Sequence, residues 1–448
     1  MPKARATPAR SSYFLKRLWK HFGTDPATLA LVSQSFAPYD RPNIHLALEK
    51  LLGKRGITAD LEGIIAVNAY ERSSIAKLCR EATARSYLPG PVEYHDVEVA
   101  DGKRQACVKG GIYWIKTRSS PVVLLITEDG HRYPPQINIE VMAATREAAE
   151  DFGRKITSLV MEADAFRGHI LSLELDCHRQ LSVRFHRLPS IRRDDVILPP
   201  DVLKRLDRQA MGMVRHADRL RKAGRHLKRG LLLHGPPGTG KTLSAMYLAS
   251  QMPGRTVLIL TGGGISSIET SGVLARALAP VTLILEDVDL IGTLREHQTV
   301  GANALLFELL NQMDGLAEDA DILFVLTTNR PDVLEPALAS RPGRIDQAIE
   351  IPLPDAECRR RLIELYARGI DLRLTDPQAL IARTEGVSAA FIRELMRRAT
   401  ILSVEGSATE TDGETIVIID EHIDAAIQEL TIAGGRLTQR LLGMSEVG

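Results

Sequence analysis

The spacing of apolar and polar positions divides the chain near Pro199-Pro200. Before that break, residues 12–53 carry apolar side chains at helical spacings: Phe14, Leu15 and Leu18, then Ile44, Leu46, Leu48, Leu51 and Leu52. Gly53, followed by Lys-Arg-Gly, supplies a stop. Residues 58–86 predict one or two further helices, with Ser73 as a cap. From Pro89 the pattern changes to short strands. Val92, Tyr94, Val97 and Val99 lead to a turn at Asp101-Gly102, and residues 106–115 and 121–126 follow, with a second turn at Asp129-Gly130. Helical spacing returns over 146–160, and 169–175 and 181–185 read as strands.

Beyond the break, a basic and polar helical stretch covers 201–228. Short apolar runs at 230–234, 256–260, 281–285, 322–326 and 348–351 then alternate with helical segments, which predicts a parallel sheet with helices on both faces. After Pro354 the pattern is helical, broken by a predicted hairpin over 406–419 that turns at Asp412-Gly413; residues 434–448 are expected to be loosely ordered. The expected organisation is a helical segment 1–53, an α+β domain 54–190, a large α/β domain 195–354, a helical domain 355–432 and a tail 433–448. The fold class is α/β: a doubly wound parallel sheet with a C-terminal helical part and a separate α+β N-terminal region.

Composition narrows the choices without making them. A length of 448 residues implies several domains, and 44% hydrophobic with 25% charged residues is the balance of a soluble globular protein. Lys and Arg number 57 against 56 acids, so net charge does not favour nucleic acid or a membrane surface. Four scattered cysteines, Cys79, Cys107, Cys177 and Cys358, form no CxxC pair, which speaks against a disulfide framework or a zinc site and for a reducing, cytoplasmic setting. No apolar run reaches the roughly 18 residues of a membrane span. The first twenty residues hold Lys3, Arg5, Arg10, Lys16, Arg17 and Lys20 with no acid and no apolar leader core, and read as a solvated basic arm. Residues 215–229 are also rich in Arg, Lys and His and read as a solvated linker. Trp19 and Trp114 are expected to pack rather than to stack bases, and Lys103, Lys109 and Lys116 make no patch in the sequence.

The chemistry is concentrated in the second half. Gly235-Pro236-Pro237-Gly238-Thr239-Gly240-Lys241-Thr242 matches the phosphate-loop pattern GxxxxGK(S/T), after the apolar run Leu231, Leu232, Leu233 and before a helix over 243–250. Glycines let the backbone wrap a triphosphate, inward N–H groups and a helix N-terminus favour its charge, Lys241 reaches the terminal phosphates and Thr242 offers a hydroxyl to Mg²⁺. A second apolar strand ends in Glu286-Asp287, adjacent carboxylates of which one suits a hydrated Mg²⁺ and the other an attacking water. Residues 322–326 lead to Thr327-Thr328-Asn329, which puts an amide at a strand tip, able to reach the water or the γ-phosphate. Arg341-Pro342-Gly343-Arg344 sets two guanidiniums beside a rigid Pro-Gly, a pattern suited to transition-state charge.

These segments resemble the AAA branch of the AAA+ ATPases: GPPGTGKT (235–242), LLNQMDGL (309–316), TTNRPD (327–332) and LEPALASRPGRID (334–346). With residues 384–399, similar to the start of that family's lid helix, the resemblance spans about half of the chain. It implies a doubly wound core, a helical lid over 355–432 and a ring of six subunits with ATP between protomers. It also implies Asn329 as first sensor and Arg341 and Arg344 acting in the neighbour's site. In such proteins an N-terminal region, here 1–190, recognises a protein substrate or adaptor.

Three features depart from the family pattern. Glu286-Asp287 inverts the usual Asp-Glu order, as in the mitochondrial respiratory-chain translocase branch, and shortens the water-facing carboxylate by one methylene. The loop 261–272 offers only Ile265 and Ile268 where threading unfoldases carry an aromatic. There is no HExxH, which argues against the metalloprotease branch. The expected function is ATP hydrolysis that drives remodelling of a protein or assembly. The alternatives are a nucleotide-gated scaffold that hydrolyses slowly and an ATPase stimulated by nucleic acid, the latter not favoured by the balanced charge.

Overall fold

The computed structural model describes residues 12–68, 73–129, 136–163, 165–175, 181–187, 190–260, 268–289, 321–332, 334, 345–406 and 415–433. The chain forms two compact units, Met1–Arg167 with Leu173–Phe185, and Gly168–Ser172 with His186–Gly448.

The first unit contains α1 (Tyr13–Phe22), β1 (Ala30–Phe36), α2 (Arg41–Leu52), β2 (Thr58–Ala66), α3 (Ile75–Leu78), α4 (Glu81–Ala84), β3 (Tyr87–Gly90), β4 (Glu93–Ala100), β5 (Lys103–Lys116), β6 (Pro121–Asp129), β7 (Gln136–Ala143) and α5 (Arg146–Glu162). Its sheet runs β1-β7-β6-β5-β2-β3 with β4 also on β5, and every pair is antiparallel. Period-two alternation splits its core. Tyr113, Ile115, Leu124 and Ile126 face α2 and α5, whereas Ile112, Trp114, Val123 and Leu125 pack with Phe14 and Leu18 of α1.

Several expectations are corrected here. Residues 12–53 are not a separate helical segment: Ala30–Phe36 is a strand paired along its length with β7. Thr58–Ala66 is a strand, not a helix; Leu61, Ile64 and Ile65 mimic helical spacing, but β5 and β3 claim the backbone. Ser73 does not cap a helix. The short α3 begins after Ser74, and its first N–H, from Ile75, donates to Glu140 Oε2 of β7 at 2.7 Å. Nor is the basic N-terminus a free arm from Tyr13 onward, since Phe14, Leu15 and Leu18 are buried in an amphipathic helix capped by Ser12. The turn at Asp101-Gly102 is as expected, with Gly102 in the left-handed region, and Trp114 packs in the core.

In the second unit, the start of β8 (Ile170–Leu175), which precedes β9 (Leu181–His186), pairs in parallel with a later strand. Next come α6 (Pro200–Lys222), β10 (Arg229–His234), α7 (Lys241–Ser250), β11 (Thr256–Leu260), α8 (Ile268–Ala277), β12 (Val281–Leu285), β13 (Ile322–Thr328) and β14 (Gln347–Glu350). The strand order β14-β10-β13-β12-β11-β8 is parallel throughout. β11, β12 and β13 are buried along their whole length, as expected of strands covered on both faces.

The chain ends in α9 (Ala356–Tyr366), β15 (Asp371–Arg373), α10 (Pro377–Arg383), α11 (Ala389–Gly406), β16 (Val417–Ile419) and α12 (Asp420–Gln428), around a core of Leu362, Phe391, Leu395, Ile418 and Ile423. Of the hairpin expected over 406–419, residues 407–414 lie outside the described residues; Gly406 instead ends α11, and Val417–Ile419 is a strand, β16, that pairs in parallel with β15. Asp412-Gly413 lies outside the described residues, as do 434–448.

Candidate functional site

Strand order puts the expected chemistry together. β13 lies between β10 and β12, so the loop after β10, the acids after β12 and the amide after β13 emerge at the carboxyl ends of three neighbouring strands. That is where open parallel sheets bind ligands.

The loop Gly235–Thr242 owes its path to backbone freedom. Gly235 has φ +139°, and a Cβ there would meet the Ile351 carbonyl oxygen at 2.3 Å. Gly238 has φ +74°, and a Cβ there would lie 2.8 Å from Ser388 Oγ and 2.9 Å from Ala390 Cβ. The Ala390 N–H donates to the Gly238 carbonyl at 3.0 Å, which ties the loop to the start of α11. Thr239 Oγ1 donates to the Pro236 carbonyl at 2.9 Å. Gly240 stands at the N-cap of α7 without a side-chain cap, so the first N–H groups of that helix are left for an anion.

Lys241 is 6% exposed and folds back over its own loop, donating to the carbonyls of Gly235 at 2.9 Å and Pro236 at 2.7 Å. Burial pulls its ammonium down to about 8, against the opposing pull of Asp287 and Asp289. Glu286 follows β12 with its N–H donating to the Leu260 carbonyl at 3.1 Å. Burial raises the Glu286 carboxyl, a hydrogen bond with the Thr242 side chain opposes the rise, and its Oε1 is buried with no hydrogen-bond partner. A buried acceptor with no donor is costly unless a cation or water meets it.

Asp287 adopts φ +48°, the one non-glycine residue in the left-handed region among the described residues. Its N–H donates to Thr327 Oγ1 at 3.0 Å, and its Oδ1 accepts from Asn329 Nδ2 at 3.3 Å. Burial pushes its carboxyl up, Asp289 adds to this, and Lys241 and Asn329 pull it back. The turn is locked from below by Asp289, which is 8% exposed and whose Oδ1 accepts from Thr328 Oγ1 at 2.8 Å and from the Asn329 N–H at 3.2 Å.

Gly235 to Thr242, Glu286, Asp287 and Asn329 therefore converge, and a cavity of about 360 Å³ opens over the loop, Asp287 and Asn329. Arg341 and Arg344 lie outside the described residues, as do LLNQMDGL (309–316) and 261–267. Sequence reading missed the far wall of the cavity, formed by Val196, Ile197, Leu362, Tyr366 and Arg393, because these residues belong to no local motif. Asp289 and Thr328 were visible beside their neighbours, but their role as a lock depends on the pairing of β12 with β13.

A family model described as "ATPase family associated with various cellular activities (AAA)" matches residues 231–353. Among similar proteins, a proteasome-activating nucleotidase of Pyrococcus horikoshii is 33% identical over 208 residues, 44% of this chain and 52% of that protein. The 26S protease regulatory subunit 6A of Caenorhabditis elegans is 31% identical over 226 residues, 48% of this chain and 51% of that protein. An ATP-dependent zinc metalloprotease FtsH of Mycoplasmopsis pulmonis is 35% identical over 238 residues, 50% of this chain and 32% of that protein. The chain thus spans about half the length of the first two.

Proposed function

We propose, from the premise that this chain belongs to the AAA family of ATPases through residues 231–353, that it hydrolyses ATP to remodel a protein or a protein assembly. What carries the reading is the convergence of the phosphate loop, Glu286, Asp287 and Asn329 at three adjacent strand ends, with Glu286 Oε1 buried and unpartnered. That orphan acceptor beside Thr242, and a loop at Gly235 and Gly238 too tight for a Cβ, fit a magnesium-bound triphosphate. Bound Mg²⁺ would neutralise charge on the phosphates.

The chain's own residues have separable tasks in this reading. Loop amides and Lys241 hold the triphosphate, Lys241 exchanging the carbonyls of Gly235 and Pro236 for phosphate oxygens. Thr242 and, through water, Glu286 would hold the metal. Asp287 takes the proton of the attacking water, and Asn329 fixes the Asp287 carboxylate and reads the γ-phosphate. Arg341 and Arg344 act in the site of a neighbour within a ring of six. α9 to α12 form the lid that carries α11 onto the loop, and 1–190 recognises a protein substrate or adaptor in a cytoplasmic setting. Among the described residues no helix is long and apolar enough to cross a membrane.

Calorimetric titration with ATP and magnesium and steady-state phosphate release test this assignment. Lys241→Ala abolishes binding. Arg344→Ala leaves binding and cuts turnover. Asp287→Asn keeps binding and lowers turnover by about 10²-fold, the usual yield of a general base. An unchanged rate in Asp287→Asn instead makes the protein a nucleotide-gated scaffold, a reading for which the shortened acid gives a physical reason.

A further inference from the structure

The first unit carries a basic cleft that no motif announced. Lys16 and Lys20 project from α1, and Lys116 ends β5; all three are exposed and line one cavity of about 710 Å³. Lys116 stands opposite Thr58 in the β2–β5 ladder, which brings it beside the helix. None of the three ammonium groups makes an ion pair or side-chain hydrogen bond among the described residues. Their neighbours are by contrast fully engaged. Arg17 pairs with Asp60 and Glu62 and lies 4.6 Å over the centre of the Trp114 ring. The Asp60 carboxylate at the rim is thus already spoken for, and the lysines leave the cleft with unbalanced positive charge.

Two further observations define what fits. β2 meets β5 through Thr58–Glu62, but β3 takes up only Gly63–Ala66, so the outer edge of 58–62 has no partner strand among the described residues. Thr58, Ala59 and Asp60 on that edge line the same cleft. An unpaired edge accepts an extended chain by main-chain hydrogen bonds. Lys16 and Lys20 lie one helical turn apart, roughly 6 Å along the axis, close to the roughly 6.7 Å between alternate residues of an extended chain. The protein's own first residues do not complement the site, since Lys3, Arg5 and Arg10 repeat its charge. A nucleic acid would want an open aromatic face, yet the Trp114 ring is 4% exposed and already covered by Arg17.

We propose that this cleft binds an extended peptide segment bearing carboxylates at alternate positions, which adds to the free edge of β2 and pairs its acids with Lys16, Lys20 and Lys116. The peptide's backbone supplies the missing ladder bonds, and its acids neutralise three cations that the fold leaves unpaired. The site lies wholly in the first unit and does not depend on the ATPase reading, so nucleotide is left out of its test.

Fluorescence anisotropy of a fluorescein-labelled peptide of alternating glutamate and valine, titrated with the full-length chain, tests the proposal. Binding is expected to weaken with added salt. Lys16→Gln/Lys20→Gln should lose about tenfold or more in affinity, and Lys16→Arg/Lys20→Arg should keep it. N-methylation of alternate peptide amides, which touches no residue of the protein, should cost a similar factor. The proposal is overturned by any of four results: no binding of the acidic peptide, equal binding of a glutamine–valine peptide, unchanged affinity in the glutamine double variant, or tighter binding of a labelled oligothymidine that displaces the peptide.

Discussion

The two sheets of this protein hold their chemistry in opposite ways. In the second unit the parallel sheet presents its reactive groups at strand ends, where backbone conformation sets their positions: Gly235 and Gly238 shape the loop, Asp287 sits in a left-handed turn, and Asp289 locks that turn from a buried position. In the first unit the antiparallel sheet leaves one strand edge open and surrounds it with exposed lysines. The difference teaches where each region is fragile. A site made of backbone and buried charge fails when one atom is added. A site made of solvated side chains fails by degrees, charge by charge, and responds to salt.

The sharpest way to break the comparison is Gly235→Ala. The added methyl would stand 2.3 Å from the Ile351 carbonyl oxygen in a backbone conformation at φ +139°. Strain and displacement of that kind cost about 3 kcal/mol or more, enough to lower ATP affinity by roughly 100-fold. Calorimetric titration checks it. Near-normal affinity would mean that the loop is far more pliant than its packing against β14 and α11 implies.

A smaller effect is expected from pH. Burial holds the Lys241 ammonium at about 8 in the nucleotide-free protein, below its ordinary range near 10.5. Linkage sets the sign. The nucleotide-free fold bears the cost of the buried charge at low pH and gains stability as pH rises from about 8 toward 10.5. A polyphosphate favours the ammonium, so binding above about 8 must draw in a proton, and affinity falls by up to about tenfold per pH unit. Titrations in buffers of differing ionisation heat just above that pKa should register proton uptake, with Asp287→Asn and Asp289→Asn as controls for the two acids whose charge acts on Lys241. Zero uptake would mean that Lys241 is not the phosphate ligand.

The same contrast explains what the sequence disclosed. The central parallel strands β11, β12 and β13 were legible because burial on both faces demands continuous apolar runs, and the loop was legible because its glycines and lysine are contiguous. β1 and β2 were not. Their half-buried, polar-rich stretches gain strand structure from neighbours far along the chain, β7 for one and β5 for the other. The parallel pairing of β16 was missed for the same reason, since its partner Asp371–Arg373 is distant in sequence. Lys116 joined no patch until β5 was set against β2 and α1. In the second unit, the far wall of the cavity at Val196, Tyr366 and Arg393 likewise depends on how α9 and α11 return to the loop.

The gentlest test is Tyr13→Phe in the first unit. The Tyr13 hydroxyl donates to Glu62 Oε1 at 2.5 Å, and the same carboxylate accepts from Arg17 and from Trp114 Nε1 at 3.1 Å. Arg17 and Trp114 both donate to Glu62 Oε2, so removing the hydroxyl takes the donor from Oε1, but that bond is exposed and Tyr13 is 44% exposed, so water replaces the lost donor. The loss should be about 1 kcal/mol or less. Both tryptophans of the chain, Trp19 and Trp114, lie in this unit, on α1 and β5, so tryptophan emission, excited selectively over tyrosine, tracks the first unit alone during urea unfolding. A loss above about 2 kcal/mol would show that the Tyr13–Glu62–Arg17–Trp114 network behaves as a buried cooperative unit. The first unit would then share the all-or-none fragility of the phosphate loop, and the contrast between the two sheets would fail.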